Sequence, residues 1–269
     1  MDADILLNQP YTLAILLRRL EANAHLDAVS DSPMKDISLK ARPTLRERLS
    51  MATSDMTNSI EGRLNGMLYV MRSRIARNLY LPRDLGANDD GFFKAAICTD
   101  FFTRRLDPSK VLSVGRATHL YQPYLELRDI LNNQKRQMIG QTSVYVLVEH
   151  LKGLPEVERV HLADTLRRKD EMDPDWLKRL IDAHVARTKH FWRLFPDLLG
   201  FRWARLKGMS GFRKVTHFPA FAAGFVVTLV ASWNASRFLR RGITQYWPKT
   251  ARQAILSQHE VGTKQPQFS

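Results

Sequence analysis

Asn88-Asp89-Asp90-Gly91-Phe92 is the stretch that decides the predicted fold, because two carboxylates there open an apolar segment that continues to Phe102. Acidic residues suit the positive end of the helix dipole, so the stretch predicts a helix over residues 89–102. In a functional interpretation, one of the two carboxylates acts as a general base. Simple capping of the helix start explains the same pair without any chemistry.

A second acidic cluster, Met1-Asp2-Ala3-Asp4-Ile5, stands at the beginning of the sequence. Two carboxylates in a D-x-D triplet at a strand end can share one hard divalent cation with a diphosphate. The triplet therefore predicts a metal site at Asp2 and Asp4, with Mg²⁺ or Mn²⁺ as the cofactor. The alternative is a solvated acidic pair that binds nothing.

Helix and strand patterns alternate through the first 150 residues, which predicts an α/β fold with a mixed sheet. Leucines at helical spacing follow Pro10, and a long helical pattern precedes residue 152. The predicted helices cover residues 11–22, 89–102 and 125–151. The predicted strands cover residues 25–30, 67–71, 111–114 and 117–121. His119 is expected to pack at a strand end, and the single cysteine, Cys98, is expected to be a small buried group.

Four parts occur in a recognisable order along the chain. They are the D-x-D triplet, the strand Gly66-Met67-Leu68-Tyr69-Val70-Met71-Arg72, the acidic pair that opens a helix, and Asn133-Gln134-Lys135-Arg136-Gln137 on a later helix. This order, over residues 1–145, resembles the family 2 glycosyltransferases. The resemblance implies a partial GT-A-type sheet over residues 1–150. It also implies an inverting transfer of a sugar from a nucleotide-sugar donor to a glycan or lipid-linked acceptor.

Roles for individual residues follow from the same resemblance. Asp90 corresponds to the catalytic base of the family, and Asp2 and Asp4 correspond to the ligands of the metal and the donor diphosphate. Arg136 is the one retained residue of the family's Q-x-x-R-W element, and an arginine there can neutralise a leaving diphosphate. The missing tryptophan argues against processive polymerisation. The substrate-binding residues implied are Asp89, Gly66, Arg136 and Gln137. A solvated helix face remains the alternative for the 133–137 run.

Members of that family carry further strands and helices ahead of the D-x-D triplet, where they contact the nucleotide. Strands of such a sheet are buried on both faces, so a sheet without that half exposes part of its core. The resemblance therefore predicts that Met1 is an internal methionine of a longer reading frame, or that the chain is truncated. In either case we expect impaired activity.

Positive charge is concentrated near the C-terminus. The net charge is +14, and residues 198–259 contain ten lysines or arginines and no acidic residue. Within this stretch, residues 218–233 carry no charge. The pattern predicts a charged helical region over 151–215, a transmembrane or interfacial helix over 216–240 and a basic tail over 241–269. The uncharged run is shorter than the roughly 20 residues that span a bilayer, and a buried core helix is a further alternative for it.

A membrane is the partner that this basic and apolar region predicts, because lysines and arginines near an anionic surface favour attachment. With the family resemblance, the prediction is a membrane-associated protein whose catalytic part faces the cytoplasm. Aromatic side chains interleaved with arginines also suit single-stranded nucleic acid. An uncharged run has no role in nucleic-acid binding, so no nucleic-acid partner is expected. The alternative functions are a non-catalytic, membrane-bound interaction protein derived from such an enzyme and, after it, a basic nucleic-acid-binding protein.

Overall fold

The structure, a computed structural model, describes residues 5–52, 60–195 and 211–246. In these ranges the chain is mixed α/β, as the sequence predicts. The strands are β1 (Leu6–Leu7), β2 (Ala28–Lys35), β3 (Ile60–Glu61), β4 (Tyr69–Met71) and β5 (Val111–Tyr121). The helices are α1 (Thr12–Glu21), α2 (Leu45–Ala52), α3 (Ser73–Arg77), α4 (Asp89–Cys98), α5 (Leu127–Lys152), α6 (Glu156–Val160), α7 (Leu162–Met172), α8 (Trp176–Arg187) and α9 (Gly211–Leu239).

Strand β5 is the centre of a five-stranded mixed sheet with the order β1-β5-β2-β4. It lies parallel to β2 along its whole length and antiparallel to β1 and β3 on its other edge. Strand β4 pairs with β2 in the antiparallel direction. Strands β2 and β5 are therefore the two interior strands, and four polar residues on them are buried: Ser30, Asp31, Ser113 and His119.

A register shift explains why the sequence predicts two strands where the structure has one. Asp31 pairs with Val114, whereas the next residue, Ser32, pairs with Thr118. Residues 115–117 are therefore extra on β5 and form a bulge, which bends a strand without ending it. The glycine and arginine at the start of the bulge gave the appearance of a break. Strand β2 likewise continues beyond Ser30, the predicted end, because its pairing with β5 extends to Lys35.

Two apolar clusters cover the two faces of the sheet. Helix α1 places Leu16 and Leu20 against Val29 and Val114. Their sequence neighbours on the strands, such as Ala28, belong to a larger cluster that includes side chains of α4, α5, α7 and α8. Alternate residues of a strand face opposite sides, so both faces of the sheet are packed. Cys98 is buried in the larger cluster, as predicted.

Helix α4 ends at Cys98, four residues before the predicted end. Asp100, Phe101 and Phe102 have φ values of 51°, 55° and 65°, in the left-handed region. This turn reverses the chain and places the ring of Phe102 6.5 Å from that of Phe92, in a stacked arrangement. The prediction of a helix to Phe102 is wrong because burying both phenylalanine rings outweighs continuing the helix.

Helix α9 packs against α5 through small and polar side chains. The hydroxyl of Thr228 donates to the Gln134 amide oxygen at 3.3 Å, and that of Ser232 donates to the sulfur of Met138 at 3.0 Å. Ala231 and Ala235 are fully buried in the same interface. Across the described ranges, no helix combines the length and apolar character needed to cross a bilayer. The membrane-spanning alternative for residues 216–240 is therefore not supported, since this helix contributes to the protein core.

Candidate functional site

Asp90 and Gly66, two residues proposed for the site from sequence, are in contact. A Cβ added to Gly66 would lie 3.2 Å from Cγ of Asp90 and 3.3 Å from Oδ2. The other oxygen, Oδ1, accepts a hydrogen bond from the backbone amide of Gly91 at 2.8 Å. The carboxyl group is thus enclosed between the first turn of α4 and the turn that precedes β4.

Burial raises the pKa of Asp90 above its usual value of 3.8, while the backbone hydrogen bonds from Gly91 and Gly66 oppose the rise. The neighbouring Asp89 carboxylate raises the pKa further. A carboxylate whose pKa is raised accepts a proton more readily at neutral pH than an exposed aspartate does. The environment of Asp90 is therefore suited to a general base.

Helix α5 packs closely against the loop that precedes Asp89. A Cβ added to Gly140 would lie 2.0 Å from the carbonyl oxygen of Ala87 and 2.9 Å from Cβ of Asn88. Asn88 has a φ of 86° and precedes α4 directly. This is the left-handed region, which asparagine adopts more readily than most non-glycine residues. Close packing by a glycine therefore fixes the backbone before the acidic pair.

Arg136 and Gln137 stand on α5, one turn before Gly140. Residues four apart are neighbours on a helix surface, so Arg136 shares the face of α5 that meets Ala87. The separation along the helix axis is about 6 Å. Arg136 is half-buried and Gln137 is exposed. By this spacing Arg136 shares the α5 face that carries Gly140, and Gln137 lies on the solvent side of α5.

Arg72, the last residue of the strand motif, has a structural role. Its guanidinium group donates to the carbonyl oxygens of Leu26, Leu20 and Asn23 at 2.7, 2.9 and 2.9 Å. These carbonyls belong to the end of α1 and the loop that follows it. Arg72 therefore ties α1 to the sheet.

Asp31 and His119 form a buried pair between the interior strands β2 and β5. Nδ1 of His119 contacts Oδ2 of Asp31, and both side chains are completely buried. The other ring nitrogen, Nε2, lies 3.1 Å from the sulfur of Met67. Burial raises the pKa of Asp31, and the hydrogen bond and electrostatic interaction with His119 oppose that rise. His119 is packed, as the sequence suggests, but it lies within β5 and pairs with a carboxylate.

Asn65 connects this pair to Asp90. Its backbone amide donates to the hydroxyl of Ser30 at 3.0 Å, and its side-chain amide donates to the carbonyl oxygen of Asp31 and to the hydroxyl of Ser113 at 3.2 Å. The next residue is Gly66, which touches Asp90. Neither Asp31 nor Asn65 was proposed from sequence. The run of polar residues inside an otherwise apolar strand, Ser30-Asp31-Ser32, was the available signal.

The predicted metal ligands, Asp2 and Asp4, lie outside the described residues. Within the described ranges, no group of three or more His, Cys, Asp and Glu side chains is arranged to hold a metal ion. Two carboxylates are the oxygen donors that Mg²⁺ and Mn²⁺ prefer. The donor set thus suits these ions, and the metal site remains a prediction.

Two clefts lie away from Asp90. One, of about 340 Å³, lies between α9 and the short 3-10 helix Phe191–Leu194, and it combines rings with positive charges. The other, of about 350 Å³, lies beside α1, β4 and Arg72. The first is lined by Lys189, His190, Phe191, Trp192, Trp233, Ser236, Arg237 and Arg240. Its rings include His190 and Trp192, stacked with centroids 4.6 Å apart.

Comparison with known proteins identifies no relative. No protein-family model, no curated protein and no solved structure matches this chain.

Proposed function

We propose that this protein is a membrane-associated, inverting glycosyltransferase that uses Asp90 as its catalytic base. The substrates are a nucleotide-sugar donor and a glycan or lipid-linked acceptor. The proposal rests on the order of the sequence motifs and on one geometric observation, the contact between Gly66 and the half-buried carboxyl group of Asp90. Two elements that are separate in sequence meet there, which the motif order alone does not require. A partial GT-A-type sheet is the finer fold assignment that accompanies this proposal.

In the proposed reaction, an acceptor hydroxyl attacks the anomeric carbon of the donor. Asp90 accepts the hydroxyl proton as the new carbon–oxygen bond forms. The bond between the anomeric carbon and the phosphate oxygen breaks, and the nucleoside diphosphate leaves with the electron pair. Attack opposite to the leaving group inverts the anomeric centre. The raised pKa of Asp90 supports its role in this step.

Charge on the leaving diphosphate is balanced by cationic groups in this proposal. Arg136 lies one helical turn before Gly140, the residue of α5 that packs on Ala87. A guanidinium group can bind phosphate oxygens in a bidentate manner. Mg²⁺ or Mn²⁺, held by Asp2 and Asp4, supplies further positive charge when it is bound. Gln137, on the solvent side of α5, and Asp89, beside the base, are proposed to contact the substrates.

A turnover assay with the full chain tests the proposal. The chain is incubated with a panel of nucleotide sugars and Mn²⁺ or Mg²⁺, and release of nucleoside diphosphate is measured. We expect turnover that requires the cation and falls by about 10²- to 10⁴-fold in Asp90→Asn, because a general base contributes rate factors of that size. Asp164→Asn, at an exposed position on α7, is the matched control and should leave turnover unchanged.

Two results would count against the proposal. Equal turnover in Asp90→Asn and the unchanged chain removes Asp90 as the base. Absence of turnover with every donor, together with stability that does not respond to Mn²⁺, favours the non-catalytic interaction protein instead.

Membrane association in this proposal is through a surface of α9. Val226, Val230, Trp233 and Arg237 recur at intervals of three and four residues and are exposed, so they form one stripe along the helix. The cleft described above adjoins this stripe with Trp192 and further positive charges. Aromatic and basic side chains together suit the interface of an anionic bilayer. We therefore propose attachment to the membrane surface.

Vesicle co-sedimentation tests the proposed attachment of α9 to the membrane surface. We expect binding to vesicles that contain phosphatidylglycerol, weaker binding to phosphatidylcholine alone, and a loss when salt is raised from about 0.1 M to about 1 M. Trp233→Ala combined with Arg237→Glu should reduce binding, whereas Arg187→Glu, at an exposed site on α8, should not. Equal sedimentation of all three proteins would contradict the assignment of this surface.

A further inference from the structure

The buried pair of Asp31 and His119 is costly to the fold. Both side chains are fully buried, and the second carboxylate oxygen of Asp31 has no hydrogen-bond partner among the described residues. A buried polar atom without a partner costs roughly 1–3 kcal/mol. Buried ion pairs are also weak contributors to stability, and well-packed apolar residues often replace them without loss. Stability alone is therefore a poor explanation for this pair.

Contacts from this pair converge on one short turn, residues 65–68. At its start, the side-chain amide of Asn65 donates to the carbonyl oxygen of Asp31. At its end, the backbone amide of Asp31 donates to the carbonyl oxygen of Leu68 at 3.1 Å. Between these two points, Met67 meets the ring of His119. The turn is thus attached at three of its four residues, twice to the main chain of Asp31 and once to the ring of His119, and the fourth is Gly66.

Gly66 is the residue of the turn that faces Asp90. The buried pair and Asp90 do not need to touch for one to affect the other, because consecutive Cα atoms are 3.8 Å apart and the turn is short. A shift of Asn65 or Met67 moves Gly66 relative to the Asp90 carboxyl group. Even a displacement of about 1 Å at a catalytic group can cost 10²-fold in rate.

We propose that Asp31 and His119 are positioning residues that hold the turn of residues 65–68 against the carboxyl group of Asp90. Neither residue reaches a substrate, since both are enclosed between β2 and β5. The inference rests on the proposed function only for its effect on catalysis. The geometric claim, that Asp31 and His119 set the environment of Asp90 through the turn of residues 65–68, stands without it.

An NMR titration tests the geometric claim directly. The full chain is labelled with ¹³C at aspartate carboxyl groups, and Asp90→Asn identifies the Asp90 signal. Asp31→Asn removes the charged partner of the His119 ring, which contacts Met67 in the turn. We therefore expect the hydrogen bond from Gly66 to weaken and the pKa of Asp90 to rise. The amide signal of Gly66 should shift as well. Asn retains an oxygen that accepts from His119, which favours a folded variant.

A matched control separates positioning from a general effect of losing a buried carboxylate. Asp27 is also buried, lies directly before β2 and pairs with Arg74 and Lys110, and none of these residues belongs to the turn. Asp27→Asn should therefore leave the Asp90 and Gly66 signals in place. If Asp27→Asn and Asp31→Asn move both signals equally, the positioning role is contradicted.

A second variant keeps the test decisive if Asp31→Asn does not fold. Asn65→Ala removes the side-chain link at a half-buried site and should raise the pKa of Asp90 in the same direction. The two changes combined should have less than the sum of their separate effects, because both act on the position of the same four-residue turn. An unchanged Asp90 titration in Asn65→Ala overturns the inference.

Turnover provides the readout that depends on the proposed function. If the chain is active, Asp31→Asn and Asn65→Ala should lower kcat by about 10- to 100-fold, with a smaller change in KM. A chain that shows no turnover but has the expected NMR shifts contradicts the glycosyltransferase and retains the positioning pair. The opposite result is turnover that is lost in Asp90→Asn but intact in both positioning variants, with no NMR shifts. It retains the glycosyltransferase and contradicts the positioning pair.

Discussion

The carbonyl oxygen of Ala87 occupies the space in which a side chain at Gly140 would have to lie, with only 2.0 Å to an added Cβ. We therefore expect Gly140→Ala to destabilise the protein by about 1–3 kcal/mol or more, because a backbone carbonyl cannot move aside as a flexible side chain does. Urea unfolding followed by circular dichroism measures the change.

Gly153→Ala is the matched control, since Gly153 directly follows α5 and caps its C-terminal end. An added Cβ there meets one atom, the carbonyl oxygen of His150 at 3.4 Å, and the backbone is in the ordinary right-handed helical region. This variant should be neutral or more stable by about 0.4–1 kcal/mol. A similar loss of stability in both variants would show that the Ala87 contact is not the cause.

Arg72→Lys should destabilise the protein by about 2 kcal/mol. A lysine ammonium is a single point of donation and cannot reproduce the planar arrangement that reaches Leu20, Asn23 and Leu26 together. Hydrogen bonds to charged groups are worth about 1.5–3 kcal/mol. Chemical unfolding provides the measurement. Arg77→Lys, on the exposed side of α3, should change stability by less than about 0.5 kcal/mol.

Asp90→Asn should make the folded chain more stable at neutral pH and have little effect in acid. Burial raises the pKa of Asp90 in the folded state above its usual value of 3.8, so the folded state holds this proton more tightly than the unfolded state does. The stability that the protonated carboxyl group of Asp90 contributes is therefore lost as pH rises above 3.8 and through the folded-state pKa. Asparagine has no such dependence.

Unfolding midpoints of Asp90→Asn and the unchanged chain, measured between about pH 3 and pH 8, give the difference in their stability. The sign of this difference follows from the linkage between proton binding and folding. The gap between Asp90→Asn and the unchanged chain should widen as pH rises above 3.8 and then become constant above the folded-state pKa. A gap that is largest in acid contradicts the buried environment of Asp90. Asp164→Asn, at an exposed site, controls for the general effect of removing one negative charge.

Asp170→Asn should cost about 2 kcal/mol because this buried carboxylate accepts three hydrogen bonds. The donors are the indole nitrogen of Trp176 at 2.6 Å, the hydroxyl of Tyr80 at 3.0 Å and the backbone amide of Arg83 at 3.0 Å. An amide can accept at its oxygen but not at its nitrogen, so at least one donor is left unsatisfied.

Thermal unfolding followed by fluorescence measures the effect of Asp170→Asn. Glu171→Gln, the exposed neighbour, is the control and should be close to neutral. If both variants unfold at the same temperature, the three hydrogen bonds to Asp170 contribute nothing measurable.

The helices with strong periodicity could be predicted from sequence, because burial of one face leaves a regular pattern of apolar residues. The predicted helix over 11–22 agrees with α1, and that over 125–151 agrees with α5 within two residues at each end. Strand β2 was predicted too short because its second half is held by pairing with β5 and contains polar residues. Pairing between distant strands leaves no such periodic signal.

The candidate site was partly accessible from sequence. Asp89 and Asp90 stand out because charges open an apolar helix, and the glycine at position 66 stands out in a turn. The burial of Asp31 beside His119 could not be foreseen, because it depends on the parallel register of β2 and β5. The apolar run near residue 225 was also ambiguous, since a helix that packs on another helix and one that enters lipid have similar composition.

Strand β2 is synthesised long before its partner β5, because Asp31 and Ser113 are 82 residues apart in the chain. At about 5–20 residues per second, β2 waits roughly 4–16 seconds on the ribosome. Strand β4 appears sooner and can pair with one edge of β2 in the meantime. The other edge remains open to chaperones or to neighbouring nascent chains until translation passes residue 121, so slower elongation over residues 72–121 should increase aggregation of newly made protein.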